Sequence, residues 1–127
     1  MKDLLKTILG QQRQRVIFGY LFGSQARADN AYPPRDIDLA VYFEEKSDES
    51  YLEAKLNLYA TVSRAINVND VDIIVLNTAQ NLVLLEEIIR NGILLIDKDP
   101  GLRENFEHSI LHLALDFKFQ RASIIGV

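Results

Sequence analysis

Two aspartates two residues apart, Asp36 and Asp38, open the apolar run DIDLAVYF. In an extended strand, residues i and i+2 project from one face, so both carboxylates point one way and Ile37 and Leu39 the other. Acidic groups fixed side by side repel unless a cation lies between them. Their hard oxygen donors suit magnesium, which is commonly held by one or two carboxylates together with substrate phosphates. Upstream, the apolar segment Val16–Phe22 runs into Gly23 and Ser24. A glycine lets the backbone turn close to a ligand where any side chain would obstruct it. Ser24 suits the N-cap of a short helical turn over residues 25–28. Its hydroxyl, with the backbone N–H groups of that turn, forms a cradle for phosphate oxygens. A phosphate cradle followed by a magnesium-binding acid pair describes a site that handles nucleotides.

A third acid is expected from the run VDIIVL at residues 71–76. An aspartate on a buried strand is costly unless paired or metal-bound, which makes Asp72 the natural completion of the set. Asp70 has the same parity and is its rival, nearer the turn. Arg27, three residues after Ser24, could pair with phosphate oxygens through its guanidinium, with an ordinary solvated arginine as the alternative. Arg13 and Arg15 read as solvated. Tyr32, beside Pro33 and Pro34, reads as a loop-packing residue rather than a platform for a base. His108 and His112 have the i, i+4 spacing of a helical metal pair, but no HExxH-like pattern accompanies them, and they read as ordinary helix histidines.

The elements that must position these groups follow from periodicity. Leu4, Leu5, Ile8 and Leu9 predict a helix over residues 2–10, ending at Gly10 and packing beside the first strand. Val16–Phe22 suits a strand buried on both faces. Ser47, Asp48 or Ser50 would cap a helix over residues 51–66, with Leu52, Leu56, Tyr59 and Ile66 as its core stripe and no chemistry of its own. Thr78 would cap a helix over residues 79–90 that stops at Asn91 and Gly92. Residues 93–96 read as a short strand. Asp99 and Pro100 then open a final helix to about residue 122, with Leu102, Phe106, Ile110, Leu113 and Phe117 along one side. Leu111, Leu115 and Phe119 lie off that stripe, so this helix could also dock on a partner.

At 127 residues the chain is read as a single domain, with a core over about residues 15–97. Its 48% hydrophobic and 25% charged composition is that of a soluble globular protein. A net charge of −4 argues against binding RNA or DNA mainly through phosphates. With no cysteine, neither a disulfide framework nor a thiolate metal site is available. The opening apolar run is too short for a signal peptide and no stretch approaches membrane-spanning length, so the cytoplasm is the expected compartment. Alternating strands and helices with a compact strand–turn–strand unit predict an α/β (α+β) fold, a small mixed sheet with helices packed on it.

The string Gly23-Ser24, eleven residues, then Asp36-Ile37-Asp38 resembles the signature of the polymerase β-like nucleotidyltransferase superfamily. The flanks, LFGSQARAD and DIDLAVYF, are most similar to its minimal nucleotidyltransferase branch. The intervening loop is one residue longer than is common there. The resemblance implies that Gly23 and Ser24 hold the triphosphate of ATP, with Arg27 a candidate by its position only, and that Asp36, Asp38 and Asp72 bind two magnesium ions and carry catalysis. It further implies an antitoxin that adenylylates a tyrosine of a HEPN-family toxin, a helical ribonuclease, and so neutralises it. Two alternatives stay open: an antitoxin that neutralises by contact alone, and a stand-alone transferase acting on a small molecule or an RNA end.

Overall fold

Seven consecutive buried residues from Val16 to Phe22 make the first strand the centre of the molecule. The computed structural model describes residues 1–26, 36–45, 50–68 and 70–124. In chain order these form α1 (Lys2–Gly10), β1 (Val16–Phe22), a 3-10 turn (Gly23–Ala26), β2 (Asp36–Phe43), α2 (Tyr51–Ile66), β3 (Asp70–Val75), α3 (Leu82–Asn91), β4 (Ile93–Asp97) and α4 (Pro100–Ile124). The four strands form one mixed sheet in the order β3-β2-β1-β4. β1 is antiparallel to both β2 and β4, and β2 is parallel to β3.

Side-chain alternation divides the core between the two faces of this sheet. Leu21, Ile37, Leu39, Val41, Phe43 and Ile73 pack with Leu5, Ile8 and Leu9 of α1 and Ala54, Leu58 and Val62 of α2. Phe18, Tyr20, Phe22, Ala40 and Leu76 pack on the other face with Leu85 and Ile88 of α3 and with Phe106 and Ile110 of α4. The alternation slips once, at an irregularity between Val16 and Phe18 in the β1–β2 pairing, where one extra residue sets both Ile17 and Phe18 toward α3 and α4. Beyond the strands, the Asn77 side chain continues the pairing. Its amide donates to the Phe43 carbonyl and its oxygen accepts from the Phe43 N–H, both at 2.9 Å.

Helix α2 departs from the sequence expectation. Its buried residues are Ala54, Leu58 and Val62, whereas Leu52 is 65% exposed, Leu56 56% and Tyr59 41%. Both stripes step by three or four, so periodicity alone could not choose between them. The smaller stripe faces inward against the sheet; of the expected stripe only Ile66 packs on the core, and Leu52, Leu56 and Tyr59 are left on the outside. In α1, Leu4 is likewise exposed while Leu5, Ile8 and Leu9 are buried.

The helix ends are mostly as expected, for identifiable reasons. Ser50 caps α2, its side chain accepting from the Glu53 N–H. Asp99 accepts from Leu102 N–H at the start of α4, with Pro100 as the first helical residue. Thr78 does not cap α3. The helix begins at Leu82 behind Asn81, whose side chain accepts from the Leu84 N–H. α3 does stop at Asn91, but Gly92 keeps a negative φ. What requires glycine there is space, since a β-carbon would collide with the Ile88 carbonyl oxygen.

Candidate active site

The start of β2 carries Asp36 and Asp38, on the face shared with Ala40 and Tyr42. Parallel pairing with β3 sets Asp36 opposite Asp70 and Asp38 opposite Asp72. Four carboxylates thus occupy two alternate rungs at one end of the sheet, with Ile37 and Val71 between them on the other face. They line an open cleft of about 340 Å³ together with Val71 and Tyr59. α3 and α4 cover the same face further along, against Ala40, Ile74 and Leu76, so among the described residues this end is left open.

Asp72 therefore stands where the sequence reading wants it, but for a different reason. β3 is an edge strand, and both Asp70 and Asp72 are exposed rather than buried. Asp38 is the acid under electrostatic pressure. Partial burial, then the negative charges of Asp36 and Asp72, push its carboxyl above the usual carboxylate range. Asp70 is not among the groups acting on Asp38. Asp70 stands opposite Asp36 and lines the same cleft.

Gly23 completes the geometry. Phe22, the last residue of β1, pairs with Asp38, so the chain turns immediately beside that carboxylate. Gly23 has φ +71°, a left-handed conformation that favours glycine. A β-carbon there would also run into the Asp38 carboxylate oxygen. One position thus meets two demands, a backbone conformation and a close approach. The 3-10 turn over Gly23–Ala26 follows, and the expected helical turn over residues 25–28 lies partly outside the described residues. The side chain of Ser24, and Arg27 and Tyr32 as a whole, lie outside the described residues.

Among the described residues, no three acidic or histidine side chains stand close enough together to form a ready-made metal site. The donors nevertheless fit magnesium in kind: all are carboxylate oxygens, and the charge they impose on Asp38 is what a divalent cation would relieve. His108 and His112 stack with ring centroids 6.2 Å apart on exposed helix surface, far along α4 from the acids in sequence. Tyr59 was missed as a cleft residue. The only sequence signal was its place on an apolar stripe, which was assigned to the core.

The fold is thus a four-stranded mixed sheet with helices on both faces and acids paired near the start of two parallel strands. A family model described as polymerase beta, nucleotidyltransferase, matches residues 4–101. The chain belongs to this family. Solved structures support the same fold. A mutant of the toxin–antitoxin complex MntA–HpeT has a chain 21% identical with TM-score 0.78, over 99% of this chain and 96% of that one. A toxin–antitoxin structure with AMP-PNP gives 22% identity and TM-score 0.76, over 98% and 95%. A tri-AMPylated Shewanella oneidensis HEPN toxin in complex with an MNT antitoxin gives 23% and 0.70, over 99% and 97%. No curated protein gives a significant match.

Proposed function

We propose that this chain is the antitoxin of a toxin–antitoxin pair and transfers AMP from ATP to a hydroxyl, a tyrosine in our reading, of a HEPN-family toxin. The observation that carries this reading is the set Asp36, Asp38 and Asp72 gathered across two parallel strands, with the Gly23 turn against Asp38. Family membership supplies the reaction class. The structural neighbours support the rest: one holds AMP-PNP, and in another the toxin is AMPylated.

In the step we infer, the acceptor oxygen bonds to the α-phosphorus, and the bond to the bridging oxygen of the β-phosphate breaks. Pyrophosphate leaves with the electron pair. The hydroxyl proton goes to the Asp72 carboxylate, which solvent can reach and re-set. Gly23 and the backbone of its turn, with Ser24 and Arg27 in the same loop, hold the triphosphate as the leaving group departs. Magnesium bound by Asp36, Asp38 and Asp72 would supply charge neutralisation and a more acidic acceptor hydroxyl.

The whole chain is taken as one domain acting in the cytoplasm. No helix among the described residues is long and apolar enough to cross a membrane. The end of α4 supports a macromolecular partner. Leu113, Leu115, Phe117 and Phe119 are all exposed there, on more than one side of the helix.

Mass spectrometry of the toxin encoded beside this chain, after incubation with the chain, ATP and magnesium, tests the proposal. The expected result is a mass gain of one or more AMP units, lost when Asp36→Ala and Asp38→Ala are combined. A toxin silenced without any mass gain, equally well by the double variant, would favour the contact antitoxin that the apolar end of α4 could also serve.

A further inference from the structure

The exposed stripe on α2 and the open carboxylate cleft share one residue, Tyr59. The order of the strands then says which side of the reaction that residue faces. Gly23 and its turn follow β1, Asp36 and Asp38 stand on β2, and Asp70 and Asp72 stand on β3, with Tyr59 beside them. Displacement at phosphorus places the attacking and leaving oxygens roughly in line, on opposite sides of the transferred group. If the leaving phosphates rest on the Gly23 turn at the β1 side, the acceptor must approach from the β3 side. That side carries the phenol of Tyr59 and, along the same helix face, Leu56 and Leu52.

We infer that Tyr59, Leu56 and Leu52 form the acceptor side of the site, a ridge that seats an apolar α-helical segment of the protein whose hydroxyl is modified. This rests on the AMP-transfer reading above and adds to it where, and by what, the acceptor is held. The shape of the ridge selects the occupant. Leu52, Leu56 and Tyr59 step by four and three and span about 10 Å at the helical rise of 1.5 Å per residue. A lone base or a sugar would need only Tyr59, whereas two turns of apolar ridge match the groove of a second helix. A sugar hydroxyl would also gain little from two leucines. The ridge is not needed for the fold, because Ala54, Leu58 and Val62 already cover the sheet from this helix.

Steady-state transfer to the toxin protein, measured in the full chain with Leu56→Glu, Tyr59→Ala and Tyr59→Phe, tests this. Both positions are exposed, so the variants should fold, which circular dichroism checks. Leu56→Glu should raise KM for the toxin at least about tenfold while kcat stays within about twofold, the loss expected of one seated apolar anchor. Tyr59→Ala should lower kcat/KM by a similar factor, and Tyr59→Phe should restore it. ATP binding, measured by calorimetry, should stay within about twofold throughout. An unchanged KM in Leu56→Glu overturns the inference, as does a loss of ATP affinity in Tyr59→Ala that matches its loss of activity, which would make Tyr59 a nucleotide contact. A wild-type chain that leaves the toxin unmodified brings down the AMP-transfer reading itself, and this inference with it.

Discussion

Two groups of acidic side chains lie on the α3/α4 side of the sheet, and the fold treats them in opposite ways. At the β4 edge, Asp97 and Glu107 close around Arg103. Its Nε donates to Asp97 at 2.8 Å and its NH1 to Glu107. Tyr20 donates its hydroxyl to the other Glu107 oxygen at 2.8 Å, and burial, then this bond, pushes the phenol well above its ordinary pKa. The group ties β1 and β4 to α4. At the β3 side, by contrast, the charges that act on Asp38 among the described residues are those of Asp36 and Asp72, and with partial burial they raise its proton affinity. Acids that hold a fold together come with their cation built in. Acids that stand beside one another at an open cleft leave that place for a ligand.

Removing the internal cation should erase the contrast from the structural side. Arg103→Ala leaves Asp97 and Glu107 facing each other, both largely buried. We expect a loss of about 2 kcal/mol, less than for a fully buried pair, or roughly 8 °C in thermal melting. Activity per folded molecule should hold, since none of these groups reaches the cleft.

Acidification probes the other cluster. Because Asp38 takes up its proton above the usual carboxylate range, magnesium affinity should begin to fall at a higher pH than for an ordinary aspartate. The decline should approach about tenfold per pH unit, roughly 1.4 kcal/mol, once Asp38 is mainly protonated. Titrating magnesium against pH by calorimetry checks this, and an Asp38→Asn variant should lose that limb.

The smallest effect is the most pointed. A carboxyl whose pKa is higher folded than unfolded favours the fold at low pH, and that contribution is lost as pH rises through its folded pKa. At neutral pH without metal, Asp38→Asn should therefore melt higher than wild type. Relief of one like-charge pair across strands is worth about 0.5 kcal/mol, or roughly 2 °C. Added magnesium should stabilise the wild type and not the variant. A variant that melts lower would mean that Asp38 holds the fold as Asp97 does.

The cleft was largely legible in the sequence because its parts are local. Strand parity put Asp36 and Asp38 on one face, and a glycine at a strand end announced the turn. Asp72 was found with the wrong argument: nothing in VDIIVL says that its strand lies at the edge, where an aspartate needs no partner. The Arg103 cluster was not read at all, because Tyr20, Asp97 and Glu107 are joined only by tertiary packing. Helix α2 was read on the wrong face at Leu52, Leu56 and Tyr59, though not at Ile66, since a helix with apolar residues on two faces leaves the choice to its neighbours. Arg103 and Tyr59 share that lesson: what a long-range contact decides, a periodicity cannot.

The parallel pairing of β2 with β3 also bears on how the molecule comes to be active. A parallel pair cannot be made by a tight hairpin. It needs a crossover, here the whole of α2, before Asp38 and Asp72 become neighbours. Such non-local pairing forms slowly, because the loop must close before any contact rewards it. The strand–turn–strand unit of β1 and β2 can take shape early, but it carries only half of the acids. Asp38 and Asp72 are therefore brought together only by a non-local step of folding, after α2 has closed the crossover.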